Sequence, residues 1–200
     1  MTESNVVVLA ATVVTLATIL WGLWRSTRHP TGRQSGRVPA TLRRPLFYAL
    51  LSLGYFGLCA RLWQPLRLSL SWSARVVALF LGSLLHFTGL ALVLWGRLAL
   101  GPMYNVSSGL GAHLYADQQL VTAGPYAYVR HPMYLGLFLA AAGGLLLYRV
   151  WTFLFVIVTF LGLPARAGYE EQALAAEFGP AWEAYCRRVP RWLPRLQDTG

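Results

Sequence analysis

Long runs of apolar residues alternate with short polar stretches along the whole chain. Residues 5–24, NVVVLAATVVTLATILWGLW, contain no charged side chain, and about 20 apolar residues are enough to cross a bilayer. Further runs cover about 45–60 and about 76–100, the latter interrupted by His86 and Arg97. The first run is too long for a removable signal peptide, so the pattern predicts three membrane helices.

The pattern changes after a polar stretch at 101–124. Apolar runs at 132–148 and 150–163 meet at Tyr148 and Arg149, and both are at or below the usual spanning length. A tight turn there predicts a helical hairpin whose open ends meet at one membrane surface. The chain is therefore expected to be an all-α polytopic membrane protein with about five transmembrane segments, of which the last two form the hairpin.

A polar helix is predicted beyond the fifth segment, in RAGYEEQALAAEFG at 166–179. Pro164 marks the membrane edge, strong helix formers fill the interior, and a Gly-Pro pair provides the stop signal. Arg166 and Glu170 lie four residues apart on one face of this helix. Such a pair alone is an ordinary ion pair, but its position at the open end of the hairpin favours a functional site.

Composition and charge agree with a membrane setting, because 56% of the residues are hydrophobic and 12% are charged. All 17 basic residues are arginine, with six at 25–44, three at 61–75 and five from 166 to the end. The positive-inside rule places the first loop and the tail in the cytoplasm, at the inner membrane. Dispersed arginines favour contact with anionic lipid headgroups over nucleic-acid binding.

Cysteines and acidic residues are few. Cys59 and Cys186 have no second cysteine or close histidine in the sequence, so we expect reduced thiols, no disulfide and no metal site. No acidic residue lies between Glu3 and Asp117. Carboxylate chemistry on the cytoplasmic side must therefore come from Asp117 or from the tail, which carries Glu170, Glu171 and Glu177.

The stretch GPYAYVRHPMYLG, at 124–136, places Arg130 and His131 immediately before an apolar helix. Pro132 suits the first helical position, where a missing N–H costs little. The remaining N–H groups and the positive end of the helix dipole favour an anion there. Because the open ends of a hairpin meet, we expect these residues to lie beside the charged residues of the tail helix.

These residues also carry a family resemblance. LVTAGPYAYVRHPMYLG at 120–136, followed by EE, FG, Y and finally VPRWLP, resembles the integral membrane methyltransferases that include isoprenylcysteine carboxyl methyltransferase, with phospholipid methyltransferases as a related branch. The resemblance covers 120–194, whereas the stretch at 100–119 differs from the sequence that is usual in the family. It implies a transferase that methylates a hydrophobic or membrane-embedded acceptor with S-adenosylmethionine taken from the cytosol.

The resemblance also implies roles for individual residues. The family's acceptor-binding arginine falls on Arg166. By its own chemistry, apart from the resemblance, Glu171 would suit the ribose hydroxyls of the cofactor. A carboxylate can accept from the cofactor's amino group, and tyrosine faces can stack on a base or lie against a sulfonium. The family's cofactor contacts fall on Leu120, Val121, Tyr126, His131, Pro132, Met133, Tyr134 and Glu170.

We divide the chain accordingly into 1–100, the expected acceptor side, and 101–200, the expected cofactor-binding core. The acceptor is expected to be an isoprenylcysteine-like carboxylate, a lipid or a thiol. The competing interpretation is a non-catalytic lipid-binding or assembly factor that retains the same fold.

Several residues have a second interpretation. Arg130 could act directly or anchor on phosphate headgroups, and the tyrosines of the motif could form an interfacial aromatic belt. His86, in mid-membrane, is either functional or bonded to a backbone or hydroxyl group. Arg97 is expected to extend its side chain to the membrane surface.

Overall fold

The computed structural model describes residues 14, 21, 31–35, 45–104, 112–115 and 117–194. The predicted first membrane helix, 5–24, lies outside the described residues except for Val14 and Trp21, which are helical. The elements in chain order are β1 (Thr31–Ser35), α1 (Pro45–Arg61), α2 (Trp72–Leu100), β2 (Ala112–Tyr115), α3 (Pro132–Tyr148), α4 (Trp151–Phe160), α5 (Leu163–Phe178) and α6 (Pro180–Arg188).

Helix α2 is the long central helix, and its ends are set by local signals. Ser71 is the N-cap, and its hydroxyl accepts a hydrogen bond from the Ala74 N–H at 3.3 Å, as serine commonly does at that position. Gly101 ends the helix with a φ of 50°, a conformation that glycine adopts without steric cost. The predicted run at 76–100 is therefore extended by four residues at its start.

Helices α2 and α3 pack closely because glycines line their contact. A Cβ atom on Gly89 would overlap the backbone of Ala140, and one on Gly143 would overlap the backbone of His86. Small residues at such positions let two helix backbones approach each other. The His86 side chain is 2% exposed, and its Nδ1 lies 2.8 Å from the Ala140 carbonyl oxygen. The backbone bond expected in one of the two interpretations of His86 is thus present.

The predicted hairpin is confirmed in α3 and α4. Arg149 takes the left-handed conformation, with a φ of 50°, and lets the chain reverse within two residues. The Tyr148 and Phe153 rings stack 5.6 Å apart beside the turn, and the Phe138 and Phe160 rings meet at 5.8 Å near the other end. The two helices therefore run antiparallel, and α5 continues from α4 after a short turn.

The described residues contain one feature that the all-α prediction misses. Strands β1 and β2 pair as a two-stranded antiparallel sheet, in which Gln34 is opposite His113 and Ser35 is opposite Ala112. Strand β2 also lies against α5. The strands are about 80 residues apart and only 5 and 4 residues long, so the sequence gives little local signal for them.

The protein is membrane-associated and predominantly helical, as predicted. Two helical runs, Trp72–Met103 and Trp151–Phe178, are long and apolar enough to cross a bilayer, and Leu50–Arg61 and Pro132–Tyr148 are shorter apolar helices. The second long run consists of α4 and α5 together. Leu53 is 70% exposed, as expected for a side chain that faces lipid. The count of five crossings and the division at residue 100 stay predictions.

Candidate functional site

The turn before α3 is held in place by a hydrogen bond from α6. Gly124 has a φ of 63° and opens a short 3₁₀ helix, Gly124–Ala127, in which Tyr126 is buried. The Tyr185 hydroxyl donates a hydrogen bond to the Tyr126 carbonyl oxygen at 2.7 Å. Burial raises the pKa of Tyr126 well above its usual value, and the nearby Glu170 carboxylate raises it further. The Tyr126 phenol is therefore neutral and lies within electrostatic reach of Glu170.

His131 stands at the N-terminal end of α3, immediately before Pro132 at the first helical position. Its side chain is 8% exposed, and its Nε2 lies 2.9 Å from Glu171 Oε1. An ionised carboxylate can only accept hydrogen bonds, so Nε2 carries the hydrogen. The imidazole also stacks on the Tyr134 ring, with centroids 5.5 Å apart and planes 6° from parallel. Both contacts fix the ring at the open end of the hairpin.

Glu170 receives two hydrogen bonds on one oxygen. Tyr134, on α3, donates from its hydroxyl to Oε1 at a distance of 2.5 Å. Arg166, one turn earlier on α5, donates from Nε to the same atom at a distance of 3.2 Å. The second oxygen, Oε2, lies 4.0 Å from His131 Nδ1. The ion pair predicted from the spacing of Arg166 and Glu170 is present, and the tyrosine links it to the other helix.

Glu171 contacts a different set of side chains. Arg130 Nε donates to Glu171 Oε1 at 3.1 Å, beside the His131 bond already described. Arg191 Nε lies 3.2 Å from the same oxygen, but its N–H does not point at that oxygen, so this contact is an ion pair and not a hydrogen bond. The carboxylate is 19% exposed and Arg130 is 13% exposed. This cluster is therefore largely shielded from water.

Arg130 is also bonded within the protein, at the C-terminal end of α6. Its guanidinium points into the protein, where Nη1 donates to the carbonyl oxygens of Val189 at 3.1 Å and Cys186 at 3.3 Å. These carbonyls belong to the C-terminal end of α6 and the residue after it, where arginine is a favourable partner. Arg130 therefore joins α6 to Glu171.

The structure brings the central predicted site residues together. His131 and Tyr134 on one side meet Arg166, Glu170 and Glu171 on the other, as the hairpin predicts. Their assigned roles in binding or catalysis stay predictions.

The remaining predicted residues lie around this group. Leu120 packs against the buried cluster of Trp182, Tyr185 and Val189 at α6, and Val121 is half-buried. Met133 turns toward α2, since a Cβ on Gly96 would lie 2.7 Å from its Cγ. Leu120 and Met133 thus have packing contacts away from the carboxylates.

The three tyrosines of the motif and Arg97 differ in how well they fit a position at the membrane surface. Tyr126 is buried and Tyr134 is bonded to Glu170, whereas Tyr128 is 61% exposed and fits an interfacial belt. Arg97 does not simply extend outward: Nη1 donates to the Gly101 carbonyl oxygen at 3.1 Å, and its guanidinium lies 4.3 Å from the Tyr104 ring centre.

Three residues at the site were not predicted from the sequence: Arg191, Trp192 and Tyr185. The Trp192 ring lies 5.4 Å from the His131 ring, and Arg191 contacts Glu171. A signal was available, because both residues belong to the VPRWLP stretch that contributes to the family resemblance. Their isolated positions near the C-terminus gave no periodicity that would place them beside α3.

Comparison with known proteins agrees with the sequence resemblance. The family model for phospholipid methyltransferase matches residues 77–181, which is more than half of the chain. The match begins in α2 and ends at the start of α6, so it includes His131, Tyr134, Arg166, Glu170 and Glu171.

Three relatives are similar to parts of this chain. Protein-S-isoprenylcysteine O-methyltransferase of Schizosaccharomyces pombe is 42% identical over 82 residues, which are 40% of this chain and 35% of the yeast protein. Delta(14)-sterol reductase TM7SF2 of Mus musculus is 37% identical over 76 residues, 36% of this chain and 18% of the mouse protein. Methanethiol S-methyltransferase 2 of Bradyrhizobium diazoefficiens is 36% identical over 77 residues, 36% of this chain and 27% of the bacterial protein.

The aligned parts cover about a third or less of these relatives, which carry different reaction names. Local similarity to them therefore does not assign a substrate. The family model covers the two helices of the site and the turn before them in one match, and the resemblance read from the sequence is confirmed. The chain belongs to the phospholipid methyltransferase family.

Proposed function

We propose that the protein is an S-adenosylmethionine-dependent methyltransferase that acts on a hydrophobic acceptor at the membrane. The observation that carries this proposal is the meeting of Tyr134, His131, Arg166 and Glu170 at the open end of the hairpin. These side chains come from two helices, and they surround one of the few carboxylates of a chain that has seven acidic residues in all.

Two hydrogen-bond acceptors of the site fit the cofactor's amino group. Glu170 Oε2 and His131 Nδ1 lie 4.0 Å apart. In the tautomer whose Nε2–H donates to Glu171, Nδ1 of the His131 ring is an acceptor. An ammonium group has three donors and can bond both acceptors at once. Glu170 and His131 would therefore hold the amino group of S-adenosylmethionine.

Other groups near Glu170 suit the rest of the cofactor. The positive N-terminal end of α3 favours a carboxylate, and the faces of Tyr134 and Tyr126 suit a cationic sulfonium or a purine. When bound, S-adenosylmethionine supplies a methyl group from its sulfonium sulfur, and the rest of the cofactor departs as a neutral thioether. The residues around it need only align the acceptor and exclude water.

Arg166 would bind the acceptor's anionic group. It lies one helical turn nearer the membrane than Glu170, and its side chain is 28% exposed. A planar guanidinium matches a carboxylate or phosphate in two parallel hydrogen bonds. A carboxylate acceptor is already a nucleophile, so it needs no general base, whereas a thiol or amine acceptor would need one.

The proposed membrane arrangement follows from the arginine distribution. Five crossings would place the N-terminus outside and the site in the cytoplasm, where S-adenosylmethionine is available. The apolar surface of α1 and α2 would hold the acceptor's hydrophobic tail, with a lateral opening to lipid. For a bacterial cell this arrangement corresponds to the inner membrane.

Two measurements test the proposal. Isothermal titration calorimetry of the full chain in detergent should show binding of S-adenosylmethionine and of its demethylated product, S-adenosylhomocysteine. A reductase would need a hydride donor instead, so reduced nicotinamide nucleotide is the control ligand. Binding of the nicotinamide nucleotide without binding of either sulfur nucleoside would contradict the proposal.

Transfer itself is tested with cofactor labelled in the methyl group. Prenylated thiols with a free carboxylate, isoprenoid acids, lipid amines and small thiols should be offered in detergent or vesicles. Cofactor binding without transfer to any of these classes would favour the alternative, a non-catalytic lipid-binding or assembly factor.

A further inference from the structure

Glu171 differs from its neighbour Glu170 in what it contacts. Three groups of the protein meet its Oε1 atom: His131 Nε2 at 2.9 Å, Arg130 Nε at 3.1 Å and Arg191 Nε at 3.2 Å. Two of these groups are guanidinium ions, which stay charged at any pH in which proteins fold. The charge of Glu171 is thus balanced within the protein.

These contacts join three separate parts of the chain. Arg130 and His131 lie before α3, Glu171 lies on α5, and Arg191 follows α6. Backbone hydrogen bonds run in the same place, from the Arg130 N–H to the Pro190 carbonyl at 2.9 Å and from the His131 N–H to the Arg191 carbonyl at 3.3 Å. Segment 189–192, here called the tail strap, is therefore bonded directly to the start of α3.

The tail strap also reaches the side of the site. The Trp192 ring lies 5.4 Å from the His131 ring, on which Tyr134 stacks. Arg191 further donates through Nη2 to the Pro164 carbonyl oxygen at 3.3 Å, near the start of α5. Movement of the strap would therefore disturb His131 and the Tyr134 ring that stacks on it.

We propose that Glu171 is a positioning residue: it fastens the tail strap to the start of α3 and so fixes His131 and Trp192 beside Glu170, the carboxylate that faces the ligand. This rests on the proposed function and replaces the ribose contact expected for Glu171. Removal of the carboxylate leaves two partly buried guanidinium groups without their shared counter-charge. The strap is the part that can move to relieve this repulsion, because it is not within a helix.

The first experiment measures how readily the tail strap opens, and it needs no ligand. Trypsin is added to the full chain in detergent, and cleavage after Arg187, Arg188 and Arg191 is followed by mass spectrometry. In Glu171→Ala this cleavage should be about tenfold faster, because local opening controls access to the bonds. Glu170→Ala is the matched control and should be cleaved like the parent. Equal cleavage in Glu171→Ala and the parent overturns the proposal.

The second experiment measures S-adenosylhomocysteine binding by calorimetry in Glu171→Ala, Arg191→Ala and the double variant. If Glu171 acts through the strap, each single variant weakens binding and the double variant is no weaker than the worse single one. Additive losses indicate direct contact of Glu171 with the ligand and overturn the proposal. A thermal melt of each variant shows that the helical core is folded.

The two experiments separate the two hypotheses. If the parent protein binds neither S-adenosylmethionine nor S-adenosylhomocysteine, the proposed function fails, whereas the trypsin result still decides whether Glu171 fastens the strap. If the parent binds, Glu171→Gln should weaken binding as much as Glu171→Ala does, because the neutral amide lacks the counter-charge for Arg130 and Arg191. Near-parent affinity in Glu171→Gln would overturn the positioning role.

Discussion

Glu170 and Glu171 are adjacent in the chain, yet their contacts point to different tasks. Glu170 is bonded to Tyr134 and Arg166 and has its second oxygen toward His131 Nδ1. Glu171 is surrounded by Arg130, His131 and Arg191. Consecutive residues on a helix point about 100° apart, so two neighbouring carboxylates can serve a ligand and a scaffold separately.

Replacement of the ligand-facing residues should weaken cofactor binding. Glu170→Ala and His131→Ala are each expected to reduce the affinity for S-adenosylmethionine by about 1–3 kcal/mol, the usual cost of a lost hydrogen bond to a charged group. Calorimetry measures the change, and Glu177→Ala, an exposed glutamate on the same helix, is the control. Parent-like affinity in both variants would show that the pocket lies elsewhere.

Replacement of Arg166 should affect the acceptor more than the cofactor. Arg166→Lys keeps the charge beside Glu170 but loses the planar fork, so turnover should fall about tenfold or more while cofactor affinity stays near the parent value. Methyl transfer and calorimetry measure the two quantities, with Arg187→Lys as the exposed control. Loss of cofactor affinity instead would assign Arg166 to the donor site.

Between elements, the position of the site depends on two contacts: α2 against α3, and α6 against the turn before α3. The first relies on glycines that bring the helix backbones together. The second relies on a buried hydroxyl that bonds a backbone carbonyl. Either contact can be altered without a change to the carboxylates.

Gly89→Ala should destabilise the α2–α3 contact. The added Cβ would overlap the backbone of Ala140 and Gly136, and overpacking of this kind costs about 1–3 kcal/mol. Thermal unfolding in detergent measures the loss. Gly54→Ala on α1 is the matched control, because its Cβ would have nothing within 4 Å. Equal melting temperatures in the two variants would contradict the close packing of α2 on α3.

Tyr185→Phe should loosen the turn that carries Tyr126. It leaves the Tyr126 carbonyl oxygen buried without its donor at 2.7 Å, a loss of about 1–3 kcal/mol in the free energy of unfolding. Burial raises the pKa of the Tyr185 hydroxyl to about 12, so the donor is present throughout the neutral range. Tyr169→Phe, at a side chain that is 51% exposed, should melt like the parent.

At the scale of the whole molecule, arginine distribution and apolar run length together predict the orientation. Six arginines precede α1 and five lie from residue 166 onward, and the positive-inside rule would place both groups in the cytoplasm. The candidate site lies at the start of α3 and on α5, which would then open to the cytosol. This arrangement would let the site receive a soluble cofactor from the cytosol and a lipid-soluble acceptor from the bilayer.

Cysteine labelling tests the orientation. A single cysteine placed at Gly200, in a chain with Cys59 and Cys186 replaced by serine, should resist a membrane-impermeant thiol reagent added to intact cells. It should react after the membrane is permeabilised, which provides the control for reactivity. Labelling in intact cells would reverse the proposed topology.

Local features of the sequence were enough for the helical framework. Apolar runs, Pro164 and the Gly-Pro pair after Phe178 predicted the helices and their ends, because helix start and stop signals act over a few residues. The turn at Arg149 followed from the break between two apolar runs. The meeting of His131 with the carboxylates of α5 then followed from the hairpin.

Contacts between distant parts of the chain could not be read in this way. The β1–β2 pairing, the closeness of Gly89 to Ala140 and the attachment of Arg191 to Glu171 join positions far apart in sequence. Which donor meets which carboxylate depends on distances of a few tenths of an ångström and on side-chain direction. Neither is encoded in periodicity or composition, so the separate tasks of Glu170 and Glu171 emerged only once the helices were packed together.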